Sequence, residues 1–316
     1  MKKEIIKELR SHFETIKSEF QLGWDRKSLI PTFHAGEARY QPLTAPRMIK
    51  IPDIPLRKVL SAYHRSGDLD QWKMAVSIFR APEMFEYLFV LLVCGFGSPL
   101  LHFIGSNSLL LHVYGNYGTG KRMLSNIINS IYGKYEDLIL TEIDRDSDII
   151  ERCRVVGSLP ITVQNWREWS TLAKWIEKGR TSKGNWKLIA LAIDSNKKGL
   201  ERSLAIRLSN KTQLSPLAQI GISHLIGNNY GLAGERYIQY LLDHYSDHQE
   251  NLGKIINYLS SPGRLPLNSS SDHLILGAIA IYAAIIVNEL SLIKIPIRAF
   301  NRWVFKTIAL SASMDE

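Results

Sequence analysis

Apolar residues recur along the chain in two rhythms, and the change from one to the other organises the fold. Ile5, Ile6, Leu9, Phe13, Ile16 and Phe20 fall at helical spacing and predict an amphipathic opening helix of about four to five turns. From Leu22 to Pro55 the pattern breaks into short apolar pieces punctuated by Gly23, Pro31, Gly36, Pro42, Pro46, Pro52 and Pro55, which predicts small strands and turns. Helical spacing returns through 56–79 and 84–94. Next comes a short apolar strand from Leu109, a glycine-rich turn ending at Gly120, and a helix over 121–132. Beyond it the short β-like runs 138–141 and 159–163 lead to a helical stretch over 166–178. The run 187–193 (KLIALAI) is continuously apolar, as in a strand covered on both faces. Residues 205–208 read as an edge strand. From Pro216 strand signals vanish and helices dominate, the last over 299–310 with Trp303 and Phe305.

Strands alternating with helices around a glycine-rich turn predict an α/β protein with a parallel-sheet core. The changes of rhythm divide its 316 residues into a basic N-terminal α+β region (1–80), a phosphate-loop core (81–212) and a C-terminal helical domain (213–316). The apolar run 274–287 is shorter than the roughly 18 residues a membrane span needs, and 87–101 is broken by Gly95, Gly97, Ser98 and Pro99. Both read as buried helices, with no membrane partner. Ile5 and Ile6 give way at once to Lys7, Glu8 and Arg10, so no secretory signal is visible. Cys94 and Cys153, the only cysteines, read as reduced buried thiols in a cytoplasmic protein.

The chemistry concentrates in the turn. Gly115, Asn116, Tyr117, Gly118, Thr119, Gly120 and Lys121 satisfy the first seven places of the phosphate-loop pattern G-x-x-x-x-G-K-[ST], and Arg122 stands at the eighth. A strand feeding such a turn aims backbone N–H groups and the positive end of the next helix at phosphates, and the lysine adds a point charge. The hydroxyl of the eighth place ligates Mg²⁺, which an arginine cannot do. The simpler alternative is an ordinary strand-to-helix turn, over which the flanking elements and Lys121 favour a phosphate loop.

A nucleotide hydrolase of this type also needs an apolar strand ending in an acid, to hold Mg²⁺ and polarise water. The run Leu159-Pro-Ile-Thr-Val163 has the composition of that strand but ends in Gln164 and Asn165. Amides are poor Mg²⁺ ligands and cannot accept a proton. Arg122 would also repel a cation while attracting a triphosphate. These residues therefore favour ATP as a ligand and argue against Mg²⁺, leaving the catalytic residues unknown. The strand 187–193 runs into Asp194-Ser195-Asn196, where Ser195 or Asn196 would reach toward a γ-phosphate. Arg180, Arg202 and Arg207 are the candidate charge-stabilising arginines, each with surface ion pairing as its plainer role.

The formal net charge of +9 is uneven: residues 1–80 hold 15 Lys and Arg against 9 Asp and Glu. That imbalance suits a nucleic-acid backbone, or simply a solvated basic surface. Trp166, Trp169 and Trp175 can stack on bases, but at helical spacing they suit core packing. His244 and His248 have the spacing of a zinc helix without the intervening Glu or a third ligand, and read as a solvated helix face. His102 and His112 read as structural.

In the order of these features the chain resembles the phage and mobile-element family of helicase-like ATPases that includes the staphylococcal cassette chromosome helicases, distant relatives of AAA+ and MCM-type motors. The matching features run from Leu22-Gly23-Trp24 through Trp72, Ala81-Pro82 and Gly97-Ser98-Pro99 to the loop 114–122 and Tyr132-Gly133. Pro160 to Asn165, Gly179-Arg180, Trp186, Arg207 and Asn229-Tyr230-Gly231-Leu232-Ala233-Gly234 follow. The family has Ser or Thr where Arg122 stands and Asp-Glu where Gln164-Asn165 stand. The resemblance implies an AAA+-like core and a helicase-like subunit in DNA replication, acting in the host cytoplasm. Its implied partners are DNA, other replication proteins, or further copies of itself in a ring or hetero-oligomer. With both metal positions changed, an inactive or weak ATPase fits best. An active hexameric helicase, and a protein-binding module that recruits or inhibits a host replication protein, stay open.

Overall fold

The computed structural model describes residues 21–25, 28–48, 60–106, 108–141, 152–164, 187–194, 203–208, 214–261 and 271–312. The opening helix, the tryptophan-bearing stretch 166–178, and Asn165, Arg180, Ser195, Asn196 and Arg202 lie outside them.

The proline- and glycine-punctuated segment folds as an antiparallel sheet of β1 (Gly23–Trp24), β2 (Phe33–Ala35), β3 (Ala38–Tyr40) and β4 (Arg47–Met48), in that order. Gly36 opens the β2–β3 turn at φ +56, and a Cβ there would sit 1.9 Å from the Tyr63 carbonyl oxygen, so the hairpin lies directly on the chain after it. The Trp24 indole N–H donates to the Pro99 carbonyl at 2.9 Å and the Leu22 N–H to Val155 at 2.6 Å, tying this sheet to the core.

Helical spacing over 56–79 does not give one helix. Helix α1 is Leu69–Val76, capped by the Asp68 carboxylate accepting from the amides of Asp70 and Gln71. Ahead of it Gly67 takes φ +80 and Ser66 exchanges two backbone hydrogen bonds with Tyr230, so a distant β-bridge overrides local periodicity. Helix α2 (Phe85–Val90) widens into a π-helical turn over Leu91–Phe96, and the chain bends by 53° before α3 (Leu101–Ile104), at the predicted glycine and proline breaks.

The parallel core follows as the alternation predicts: β5 (Leu109–Tyr114), α4 (Lys121–Ser130), β6 (Ile139–Thr141), β7 (Ile161–Gln164), β8 (Ile189–Asp194) and β9 (Ser203–Arg207). The sheet order is β6-β7-β8-β5-β9, all pairs parallel. Residues Leu109–Val113 and Ile189–Ile193 are buried, as central strands covered on both faces require. From β5 the chain crosses to the far edge, returns through β7 and β8, and ends beyond β5 at β9. The carboxyl end of β5 is therefore a topological switch point, where open α/β sheets bind ligands.

The remaining helices are α5 (Pro216–Asn228), α6 (Leu232–Asp243), α7 (Asp247–Leu259), α8 (Ser271–Glu289) and α9 (Ile297–Ala312). The α8 helix is apolar all round and long enough to cross a membrane, yet most of it is buried against the π-turn, α7 and α9, as a core helix is. One expectation is overturned here: His248 is fully buried rather than solvated. Its Nε2–H donates to the Leu241 carbonyl at 3.0 Å and its Nδ1 accepts from the Tyr282 hydroxyl at 2.8 Å. Burial pushes its pKa down to about 4. His244 does lie on the exposed surface, stacked on Tyr240. The thiols of Cys94 and Cys153 are free and buried, with pKa values raised by burial.

Candidate phosphate-loop site

Tyr114 ends β5, and the chain turns at once through Gly115 to Gly120 into α4. Gly118 (φ +84) and Gly120 (φ +79) hold backbone conformations that side chains resist, which makes the tight approach to the helix possible. Leu124 N–H makes the first helical bond, to Gly120, leaving the preceding amides at the positive end of the helix. Gly120, the N-cap residue, has no side chain to cover them.

The loop is braced from three directions. Lys121 Nζ folds back to the carbonyls of Gly115 (2.6 Å) and Asn116 (2.7 Å) and to Thr119 Oγ1 (3.3 Å). The buried Tyr87 hydroxyl, on α2, donates to the Thr119 carbonyl at 2.5 Å. From α5, Gln219 Nε2 donates to the Gly118 carbonyl at 3.3 Å. Partial burial lowers the Lys121 pKa, and the negative charge of Asp194 works against that fall.

Asp194 and Arg207 pair in register with Tyr114 on either side, from β8 and β9. Opposite charges thus flank the root of the loop, and Arg207 is exposed. Gln164 ends β7 one strand further out, level with Ile193, and is buried. Its side-chain amide donates to Ser125 Oγ on α4, and that hydroxyl donates to the Arg122 carbonyl at 3.0 Å. The Arg122 side chain is exposed and borders an open cleft of about 580 Å³ between α4 and α5, with Met123 and Asn126 on one wall and Gln219, Ile220 and Ser223 on the other.

The fold therefore brings Lys121, Arg207 and Gln164 to the carboxyl edge of the sheet. Two contributors escaped sequence reasoning. Tyr87 and Gln219 carry no motif and reach the loop only through tertiary packing. Asp194, which the sequence sets with Ser195 and Asn196 at the end of the run 187–193, is an acid closing a continuously apolar strand, on β8 rather than β7.

The Asn229–Gly234 stretch is a structural clasp. Asn229 Oδ1 accepts from the Asp68 amide at 2.7 Å, Gly231 N–H bonds to Ser130 at 2.8 Å, and Gly234 N–H to Ile131 at 2.8 Å. It seats α6 on the carboxyl end of α4.

Residues 4–142 match the family described as "Domain of unknown function (DUF927)". The fold is similar to a solved structure titled "SCCmec type IV Cch - active helicase", with a TM-score of 0.74 and 14% sequence identity over 93% of this chain. The match covers 60% of that protein, so this chain spans about three fifths of its length. At that identity the likeness is one of fold: a parallel five-stranded α/β sheet with a small antiparallel sheet before it and helices after it, a helicase-like arrangement. No curated protein matches the chain in sequence.

Proposed function

We propose that this protein is a helicase-like replication subunit of a phage or mobile element that binds ATP at the loop 115–121 and hydrolyses it weakly or not at all. The observation that carries the reading is the contrast between the two halves of the site. Its anion half is complete: helix N-terminal amides, a lysine pinned beside them, and Arg122 in the first turn. The longest of the three Lys121 contacts, to Thr119 Oγ1, is the one a phosphate oxygen replaces at least cost. The metal half does not fit Mg²⁺. Among the described residues, the eighth-place side chain is a guanidinium facing the α4/α5 cleft, the β7 terminus is an amide already bonded to Ser125, and Asp194 shares its field with the Lys121 ammonium. One carboxylate beside fixed cations is a poor site for a cation that demands several oxygen ligands.

Such a subunit acts by binding. DNA contacts from the basic N-terminal region and assembly with replication proteins or further copies of the chain are its working interactions. With single-stranded DNA, affinity falls with salt at a log–log slope of roughly −0.7 for each phosphate neutralised. Steady-state turnover with Mg²⁺, ATP and DNA is the direct test, and a value below about 0.1 s⁻¹ is expected against the ~10 s⁻¹ of a typical enzyme.

The second reading is an active helicase, and Asp194 is the observation that favours it, because its negative charge acts on Lys121 from the end of the strand beside the loop. Turnover at an ordinary enzymatic rate, lost in both Lys121→Ala and Asp194→Asn, would establish that reading and overturn ours.

A further inference from the structure

A cavity of about 620 Å³ lies where the small antiparallel sheet meets α6, within the roughly 300–1,000 Å³ of small-molecule sites. Tyr40 and Met48 of the sheet, Tyr63 ahead of α1, Tyr132 after α4 and Ile238 of α6 give it aromatic and apolar surfaces. Its charged residues are Glu37, Arg65 and Glu235. Arg65 Nη1 donates to both oxygens of Glu235, at 2.8 and 2.9 Å, which balances one charge against the other and leaves each oxygen able to accept again. His64 adds no charge: its Nδ1–H donates to the Ser61 carbonyl at 2.8 Å and its Nε2 accepts from the Tyr230 hydroxyl at 3.0 Å. Glu37, exposed on the β2–β3 turn, has no ion-pair partner among the described residues, so the cavity carries one net negative charge. Tyr40 is 7% exposed, and among the described residues its hydroxyl has no hydrogen-bond partner. Burial and then the negative charge of Glu235 raise its pKa, against a smaller opposing effect of Arg65, so the carboxylate dominates the field at that hydroxyl.

We propose that this cavity binds a small organic monocation, an ammonium group carried on a flat apolar body. Glu37, the remaining lone pairs of Glu235 and the Tyr40 hydroxyl oxygen accept hydrogen bonds from the ammonium, while the tyrosine rings, Met48 and Ile238 cover the body. An anion would meet two carboxylates whose one neighbouring cation is already paired. A metal ion would lack ligands, because among the described residues no group of three or more His, Cys, Asp or Glu side chains is placed to hold one. The site is separate from the phosphate loop and stands whether or not the loop binds ATP.

The test is titration calorimetry of the full chain with three probes of matched shape: 2-phenylethylammonium, neutral 2-phenylethanol and anionic 3-phenylpropionate. A salt concentration of about 0.15 M screens exposed surface charge. The wild type binds the ammonium probe at least about tenfold more tightly than either of the others. Glu37→Gln, at an exposed position that folding does not depend on, weakens the ammonium probe by at least about threefold and leaves the alcohol unchanged. Glu235→Gln, which removes the carboxylate beside Tyr40, brings the ammonium to within about threefold of the alcohol. Thermal melts report that each variant is folded, and should Glu235→Gln fail to fold, Glu37→Gln decides alone. Failure of the wild type to bind the ammonium probe would overturn the proposal, as would equal affinities for the three probes. So would an ammonium preference left unchanged in folded Glu37→Gln.

Discussion

Gln164 at the end of β7 and Ser125 on α4 are joined by a hydrogen bond from the glutamine side-chain amide to the serine Oγ, and Ser125 passes its own proton to the carbonyl of Arg122. The strand terminus from which a hydrolase would present an acid is thereby spent on holding the helix. Gln164→Leu should cost about 0.5–1.5 kcal/mol, the net worth of one buried hydrogen bond, while changing triphosphate affinity by less than about twofold. Urea unfolding and triphosphate titration check the two halves. A large loss of binding without a loss of stability would put Gln164 in contact with the ligand.

Tyr87 tests the bracing of the loop. Tyr87→Phe keeps the ring stacked on Phe79, at 5.9 Å between centroids, but leaves the Thr119 carbonyl without its donor. An unsatisfied buried acceptor costs about 1–3 kcal/mol. Global stability should fall by that order, and triphosphate should bind several-fold more weakly because the loop amides are less well fixed. Unchanged values for both in the variant would mean that the hydroxyl is incidental.

Two glycines four residues apart should respond with opposite signs. Gly231 takes φ +78, and a Cβ there would lie 2.4 Å from the His64 carbonyl oxygen, so Gly231→Ala combines about 1–2 kcal/mol of left-handed strain with a backbone collision. Gly227 lies within α5, where a Cβ would meet only Tyr135 Cε1, at an ordinary contact distance of 3.8 Å, and Gly227→Ala should stabilise by roughly 0.5–1 kcal/mol through helix propensity and reduced freedom of the unfolded chain. Thermal melts of the two variants decide the matter.

His248 gives the protein an acid-sensitive lock. Burial pushes its pKa down to about 4, whereas an unfolded histidine titrates near 6.5. The unfolded chain therefore binds the extra proton between those values. The contribution is fully present above pH ~6.5 and is lost as pH falls toward 4, amounting to up to about 3 kcal/mol. Urea midpoints at pH 7.5 and 4.5 should fall further apart for the wild type than for His248→Gln, which removes the titration. Equal pH dependence of the two proteins would contradict the assignment.

How much of this was legible beforehand follows from the range over which each signal acts. The phosphate loop and the order of strands around it could be read because strand, turn and helix are contiguous, and continuous apolar runs mark buried parallel strands. The edge position of β9 was visible for the same reason. The interruption before α1 was not, because it comes from Ser66 pairing with Tyr230, far along the chain. His248 looked solvated because its partners, Tyr282 and Leu241, meet it only when α6, α7 and α8 pack. The support of the loop by Tyr87 and Gln219 is tertiary in the same way. The Asn229–Gly234 stretch stood out in the sequence, but its work as a clasp on α4 becomes visible only in the fold.

On the proposed function, the anion half of the loop works without a metal half. Calorimetric titration of ATP into the protein in EDTA, then with Mg²⁺, then with Lys121→Ala in EDTA, tests it most directly. Binding in EDTA within about threefold of that with Mg²⁺, and its loss on Lys121→Ala, are the expected results. Binding that appears only with Mg²⁺ would contradict it, because a complete metal site would then have to exist beside the loop.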